Sequence, residues 1–136
     1  MKINGVIETA LCVEDVERSA QFYEQLFGLR RLHCDPVFGA LALPGPAVLL
    51  LFKKDGRRDP IPTPGGIIPP HGASGELHVA FKISREDLDS CAAELRERGI
   101  ALESKVDWPE GGSSLYFRDL DRHLIELITP GCWATY

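Results

Sequence analysis

The chain carries an imperfect internal repeat, and a chain built that way is constrained to fold as two similar modules. Ile7-Glu8-Thr9-Ala10-Leu11-Cys12-Val13 precedes an acidic, helix-like run that ends in Phe27-Gly28-Leu29. Leu77-His78-Val79-Ala80-Phe81-Lys82-Ile83 precedes a similar run that ends in Arg98-Gly99-Ile100. An offset of seventy places Glu8 on His78, Ala10 on Ala80 and Val13 on Ile83; one extra residue in the second helix places Gly28 on Gly99.

Each copy opens on an alternating strand, because residues two apart share a face. Thr9, Leu11 and Val13 lie opposite Glu8, Ala10 and Cys12; Leu77, Val79, Phe81 and Ile83 lie opposite His78, Ala80 and Lys82. Asp15 is placed to cap the first helix, with Val16, Ala20, Tyr23 and Phe27 at helical spacing. Ser84-x-x-Asp87 has the form of a capping box for the second, with Leu88, Cys91, Ala92 and Leu95 as its apolar stripe. Gly28 and Gly99 suit left-handed helix ends. Three further strands complete each copy, near 29–34, 38–43 and 47–52 in the first and 101–104, 113–118 and 123–128 in the second.

The expected organisation is one domain over 1–136: a first βαβββ module over 1–52, a linker over 53–76, and a second module with a C-terminal tail over 77–136. The linker is rich in Pro and Gly and reads as a segment with little regular structure.

An offset of seventy-six aligns the closing strands and places Leu50 on Glu126, so Glu8, Leu50, His78 and Glu126 are equivalent positions. Three of the four bear groups that bind metals. Glu126 sits between Ile125 and Leu127, and a carboxylate buried there without a partner costs several kcal/mol. A divalent cation would compensate it, and two carboxylates with a neutral imidazole would leave the site formally neutral. Basic partners such as Arg118 or Lys82 are the alternative. Ala10 and Ala80 keep the same face uncrowded.

Composition narrows the partners. A formal net charge of −5 with scattered basic residues argues against nucleic acid. The basic cluster at Lys53-Lys54 and Arg57-Arg58 reads as a solvated loop. The apolar run Ala47 to Phe52 is far too short to span a bilayer, and no export signal is visible, so a cytoplasmic location with reduced thiols is expected for Cys12, Cys34, Cys91 and Cys132.

The run Ser114-Leu115-Tyr116-Phe117-Arg118-Asp119-Leu120-Asp121-Arg122-His123-Leu124-Ile125-Glu126-Leu127 resembles the closing hairpin of the vicinal oxygen chelate superfamily, the glyoxalase, bleomycin-resistance and extradiol-dioxygenase group. Val13-Glu14-Asp15-Val16-Glu17-Arg18-Ser19-Ala20, then Phe22-Tyr23 and Phe27-Gly28-Leu29, resembles its opening strand-to-helix element. The resemblance implies an α+β fold in which two βαβββ modules form a cupped mixed β-sheet around a metal held by Glu8, His78 and Glu126. It also implies a homodimer, with modules paired within a chain or exchanged between chains. The sequence departs from its relatives in three ways. Glu8 stands where histidine or glutamine is common. Leu50 occupies the fourth glyoxalase ligand position. Arg122-His123 replaces the Gly-Asn often found in the closing turn.

Two carboxylates and one imidazole suit Mn²⁺, Fe²⁺ or Mg²⁺, with Zn²⁺ and Ni²⁺ possible. The functional expectation is a divalent-metal-dependent enzyme of glyoxalase or dioxygenase type, acting as a Lewis acid on an oxygenated small-molecule substrate. The alternative is a bleomycin-resistance-like protein that sequesters a small molecule without catalysis. Tyr116 and Arg118 share a strand face. Either they line the cup as proton donor and anion-binding group, or they form an aromatic contact and a salt bridge. His71 is the remaining catalytic candidate, as a loop base or as a solvated loop residue.

Overall fold

The computed structural model describes residues 1–56, 59–70, 75–134 and 136. The chain divides into two compact units, Met1–Gly75 and Glu76–Tyr136, and each is a βαβββ module.

The first module runs β1 (Glu8–Val13), α1 (Val16–Phe27), β2 (Arg30–Cys34), β3 (Phe38–Ala42) and β4 (Val48–Lys53). Its sheet has the order β1-β4-β3-β2, with β1 parallel to β4 and the other pairs antiparallel. The β1 alternation sends Leu11 and Val13 into the core at 1% and 0% exposure. The Asp15 carboxylate accepts the Arg18 backbone N–H at 2.9 Å, and Gly28 ends α1 at φ 64°. Val16, Ala20 and Tyr23 of α1 bury against the face that carries Leu41, Leu49 and Leu51. Arg31 ties helix to sheet by bonding Glu17 and Glu24, each at 2.7 Å.

The segment expected to lack regular structure carries a small antiparallel hairpin, β5 (Ile61–Thr63) and β6 (Gly66–Ile68). Its turn is closed by the Thr63 hydroxyl, which donates to the Gly66 carbonyl at 2.9 Å. Ile61 and Ile68 pair across it, so the apolar ends of a Pro/Gly-rich run suffice for a two-strand ladder. The Arg57-Arg58 pair lies outside the described residues.

The second module runs β7 (His78–Lys82), α2 (Leu88–Glu97), β8 (Leu102–Asp107), β9 (Ser113–Arg118) and β10 (Leu124–Ile128), in the sheet order β7-β10-β9-β8. Leu95, Leu115, Phe117, Ile125 and Leu127 are buried. The α2 start differs from the capping box read in the sequence. Asp87 is the N-cap and makes no side-chain cap bond, because its carboxylate accepts the Ser84 hydroxyl at 2.6 Å.

Strand registers reproduce the repeat. Glu8 pairs with Val48 and Ala10 with Leu50; His78 pairs with Leu124 and Ala80 with Glu126. Ala40 lies opposite Leu50 just as Tyr116 lies opposite Glu126. The turn before β10 places Arg122 at φ 70°, in the left-handed region that favours glycine. His123 is fully buried and accepts the Leu77 backbone N–H at Nδ1, 3.0 Å away. That bond joins the β7 and β10 ends.

Candidate metal centre

The helix-free face of the second module brings three polar side chains together. His78 opens β7, and Glu126 and Tyr116 are cross-strand partners on β10 and β9. Glu126 is 6% exposed. Its Oε1 accepts the Tyr116 hydroxyl at 2.8 Å, and its Oε2 lies 3.3 Å from His78 Nε2. The other His78 nitrogen, Nδ1, lies 2.9 Å from the Leu124 carbonyl. A carbonyl only accepts, so Nδ1 carries a proton, and Nε2 is the ring nitrogen turned toward Glu126. Nε2 and Oε2 face one another at 3.3 Å, and either a second ring proton or a cation lies between them.

The donor set fits a divalent cation. Two donors about 2.1 Å from an ion and at right angles to it are about 3 Å apart. The carbonyl bond on Nδ1 is the support that metal-binding histidines usually have. Burial, then the Glu126 bond, push the Tyr116 hydroxyl above its ordinary range, so it stays a donor. Within this module no third His, Cys, Asp or Glu completes a cluster among the described residues.

Arg118 does not neutralise Glu126. Its guanidinium bonds Glu103 at 2.7 Å, Glu76 at 3.1 Å and the Arg122 carbonyl at 2.9 Å. Glu103, then burial and the other nearby carboxylates, act on it with the net effect of raising its pKa. His71 lies outside the described residues.

In the first module Glu8 lines an open cavity of about 510 Å³ with Ala10, Phe38, Leu50, Phe52 and the β5–β6 hairpin. Here the positions equivalent to Tyr116 and Glu126 are Ala40 and Leu50, so neither carries a polar group. Sequence reading missed His33 and Asp35, whose side chains bond at 2.9 Å beside Phe38.

Residues 5–127 match the family model of the Glyoxalase/Bleomycin resistance protein/Dioxygenase superfamily, and the chain belongs to that superfamily. It is 26% identical over 129 residues to the metallothiol transferase FosB of Shouchella clausii (strain KSM-K16), covering 93% of this chain and 81% of FosB. It is 37% identical over 51 residues to the fosfomycin resistance protein FosX of Listeria monocytogenes, covering 37% of this chain and 38% of FosX. The crystal structure of a lactoylglutathione lyase from Agrobacterium tumefaciens superposes with a TM-score of 0.88 at 26% identity, over 98% of this chain and 99% of that one. Among the described residues no helix is long and apolar enough to cross a membrane.

Proposed function

We propose that this chain is a divalent-metal-dependent enzyme of its superfamily, acting on an oxygenated small molecule, with His78 and Glu126 as metal ligands. The observation that carries the reading is His78 Nε2, on a ring whose Nδ1 is committed to the Leu124 carbonyl, facing the buried Glu126 Oε2 at 3.3 Å. Glu8 is assigned as the third ligand on the repeat, which makes it the equivalent of His78. A lactoylglutathione lyase and a metallothiol transferase among the similar proteins support metal chemistry on a small substrate.

A bound divalent ion would supply Lewis acidity to a substrate oxygen. The chain's own residues prepare the site. The Leu124 carbonyl holds the His78 ring through its Nδ1–H. Tyr116 occupies one oxygen of Glu126 and orients the other toward His78. Tyr116 also keeps its proton, which makes it a donor to the carboxylate and not a competing anion.

Protein purified without added metal should contain close to one divalent ion per chain by elemental analysis, and Glu126→Ala should lose it. Unchanged metal content in Glu126→Ala would overturn the reading. Lactoylglutathione formation, thiol addition to fosfomycin and oxygen uptake with catechols then separate the candidate reactions. A homodimer belongs to the same reading, and sedimentation equilibrium measures it.

A further inference from the structure

In the second module's sheet β7 stands at one end, next to β10. Its first residue, His78, has a half-exposed side chain. Where that ring sits depends on where the strand begins, and the residues opposite hold the beginning at three points. The Leu77 backbone N–H donates to His123 Nδ1 at 3.0 Å. The Leu77 carbonyl accepts the Leu124 N–H at 2.8 Å, and His78 Nδ1 lies 2.9 Å from the Leu124 carbonyl. The pair His123-Leu124 thus grips the pair Leu77-His78.

His123 holds its end firmly. It is fully buried. Because Nδ1 accepts a backbone N–H, the ring is neutral and carries its proton on Nε2. Its backbone is fixed in turn by Asp119, whose Oδ1 accepts the Asp121 and His123 N–H groups at 3.0 and 2.8 Å. The strand ladder does not require the imidazole. In the first module the Val48 N–H donates to the Ile7 carbonyl at 2.9 Å, as Leu124 does to Leu77. The residue in the place of His123 there is Ala47, whose methyl accepts nothing. The added bond belongs to the module whose opening strand carries His78. Without that acceptor the Leu77 N–H must turn to water, and the strand start turns with it.

We propose that His123 is a positioning residue for the candidate metal centre: by accepting the Leu77 N–H it sets the start of β7, and with it the place of the His78 ring against Leu124 and Glu126. The inference rests on the reading of His78 as a metal ligand, but the grip itself needs no metal.

The test compares His123→Leu, which removes the acceptor, with His123→Asn, whose side-chain carbonyl offers one at nearly the same reach. The full chains are stripped of metal with chelator, labelled with ¹⁵N and followed by NMR, with circular dichroism to establish folding. His123→Leu should speed amide hydrogen exchange at Leu77 and Leu124, leave Leu127 within β10 as in the parent, and shift the His78 ring nitrogens. His123→Asn should keep all of these at parent values. On addition of Mn²⁺, His123→Leu should bind about tenfold more weakly than the parent, the lower end of what loss of an outer-shell partner costs, and His123→Asn should recover the affinity. His78 ring nitrogens unmoved in His123→Leu would overturn the proposal. So would exchange rising equally at Leu127, the mark of a general loss of stability, or an asparagine variant no better than the leucine one. Should His123→Leu not fold, His123→Asn decides alone: parent-like His78 ring nitrogens support the role, and displaced ones overturn it. A parent protein that takes up no Mn²⁺ sinks the metal reading, while the metal-free measurements still decide the grip. Equal Mn²⁺ affinity in the parent and His123→Leu sinks the role of His123 and leaves the metal reading standing.

Discussion

Glu126 is defined by what surrounds each of its oxygens. Oε1 is held by the Tyr116 hydroxyl, and Oε2 is left facing His78. Removing the phenol oxygen releases Oε1 without touching Glu126 or His78 themselves. Tyr116→Phe is therefore expected to keep the fold and weaken Mn²⁺ binding by about tenfold or more, as loss of an outer-shell partner typically does. Isothermal titration of the stripped protein measures it, and an unchanged affinity would show that Tyr116 does not support the site. The pairing of His78 with Glu126 was suggested by the repeat, because register positions carry over from one copy to the other, while Tyr116 was read only from the strand face it shares with Arg118. Arg118 was legible only as a choice between two roles. Its bonds to Glu103 and Glu76 join residues distant in the chain, which periodicity along one strand does not report.

At the scale of elements, α1 is fastened to the first sheet by charge and by close packing, and each can be tested. Arg31 first, then Gln21 and Cys34, hold the Glu17 carboxyl at about 2, below its ordinary 4.5. A carboxyl with a depressed folded-state pKa contributes stability that is fully present above its unfolded value and is lost as pH falls through the folded one. The Glu17 contribution should thus persist above about pH 4.5 and disappear toward pH 2. In acid-titrated urea melts Glu17→Gln should narrow its difference from the parent protein across that window; a constant difference would sink the assignment. The packing side rests on Gly39, where an added Cβ would come within 3.0 Å of Val16 Cγ1 and 3.5 Å of Leu51 Cβ. Val16 is buried and β-branched, so it has little room to yield. Overpacking of about 1–3 kcal/mol outweighs the about 0.5–1 kcal/mol that alanine gains over glycine in a strand. Gly39→Ala should then lower stability by about 1 kcal/mol, read from the urea midpoint.

Taking the molecule whole, the two modules share a topology and divide the chemistry unequally. The second carries His78, Tyr116 and Glu126 on its helix-free face; the first carries Glu8 above an apolar floor. If a divalent ion binds only the folded chain, it must stabilise that chain by mass action. Mn²⁺ at a hundred times its dissociation constant should add about 2.7 kcal/mol, seen as a concentration-dependent rise in melting temperature that Glu126→Ala abolishes. A melting temperature indifferent to Mn²⁺ would count against a native-state site.

The repeat in the sequence determined the module count, the run of elements along each copy, and the equivalence of Glu8, Leu50, His78 and Glu126, because alternation and spacing are properties of sequential neighbours; the sheet order, with the first strand beside the last, came from the structure. Tertiary structure alone decided what stands beside what. Arg31 and His33 lie two apart and would share a face in a regular strand, yet the irregularity between them sends Arg31 to the helix and His33 to the opposite side. The β5–β6 hairpin was equally hidden, since Pro and Gly mark turns but the Ile61–Ile68 pairing exists only once the chain doubles back. The His78 ring orientation was set the same way, its Nδ1–H held by a carbonyl forty-six residues further along the chain.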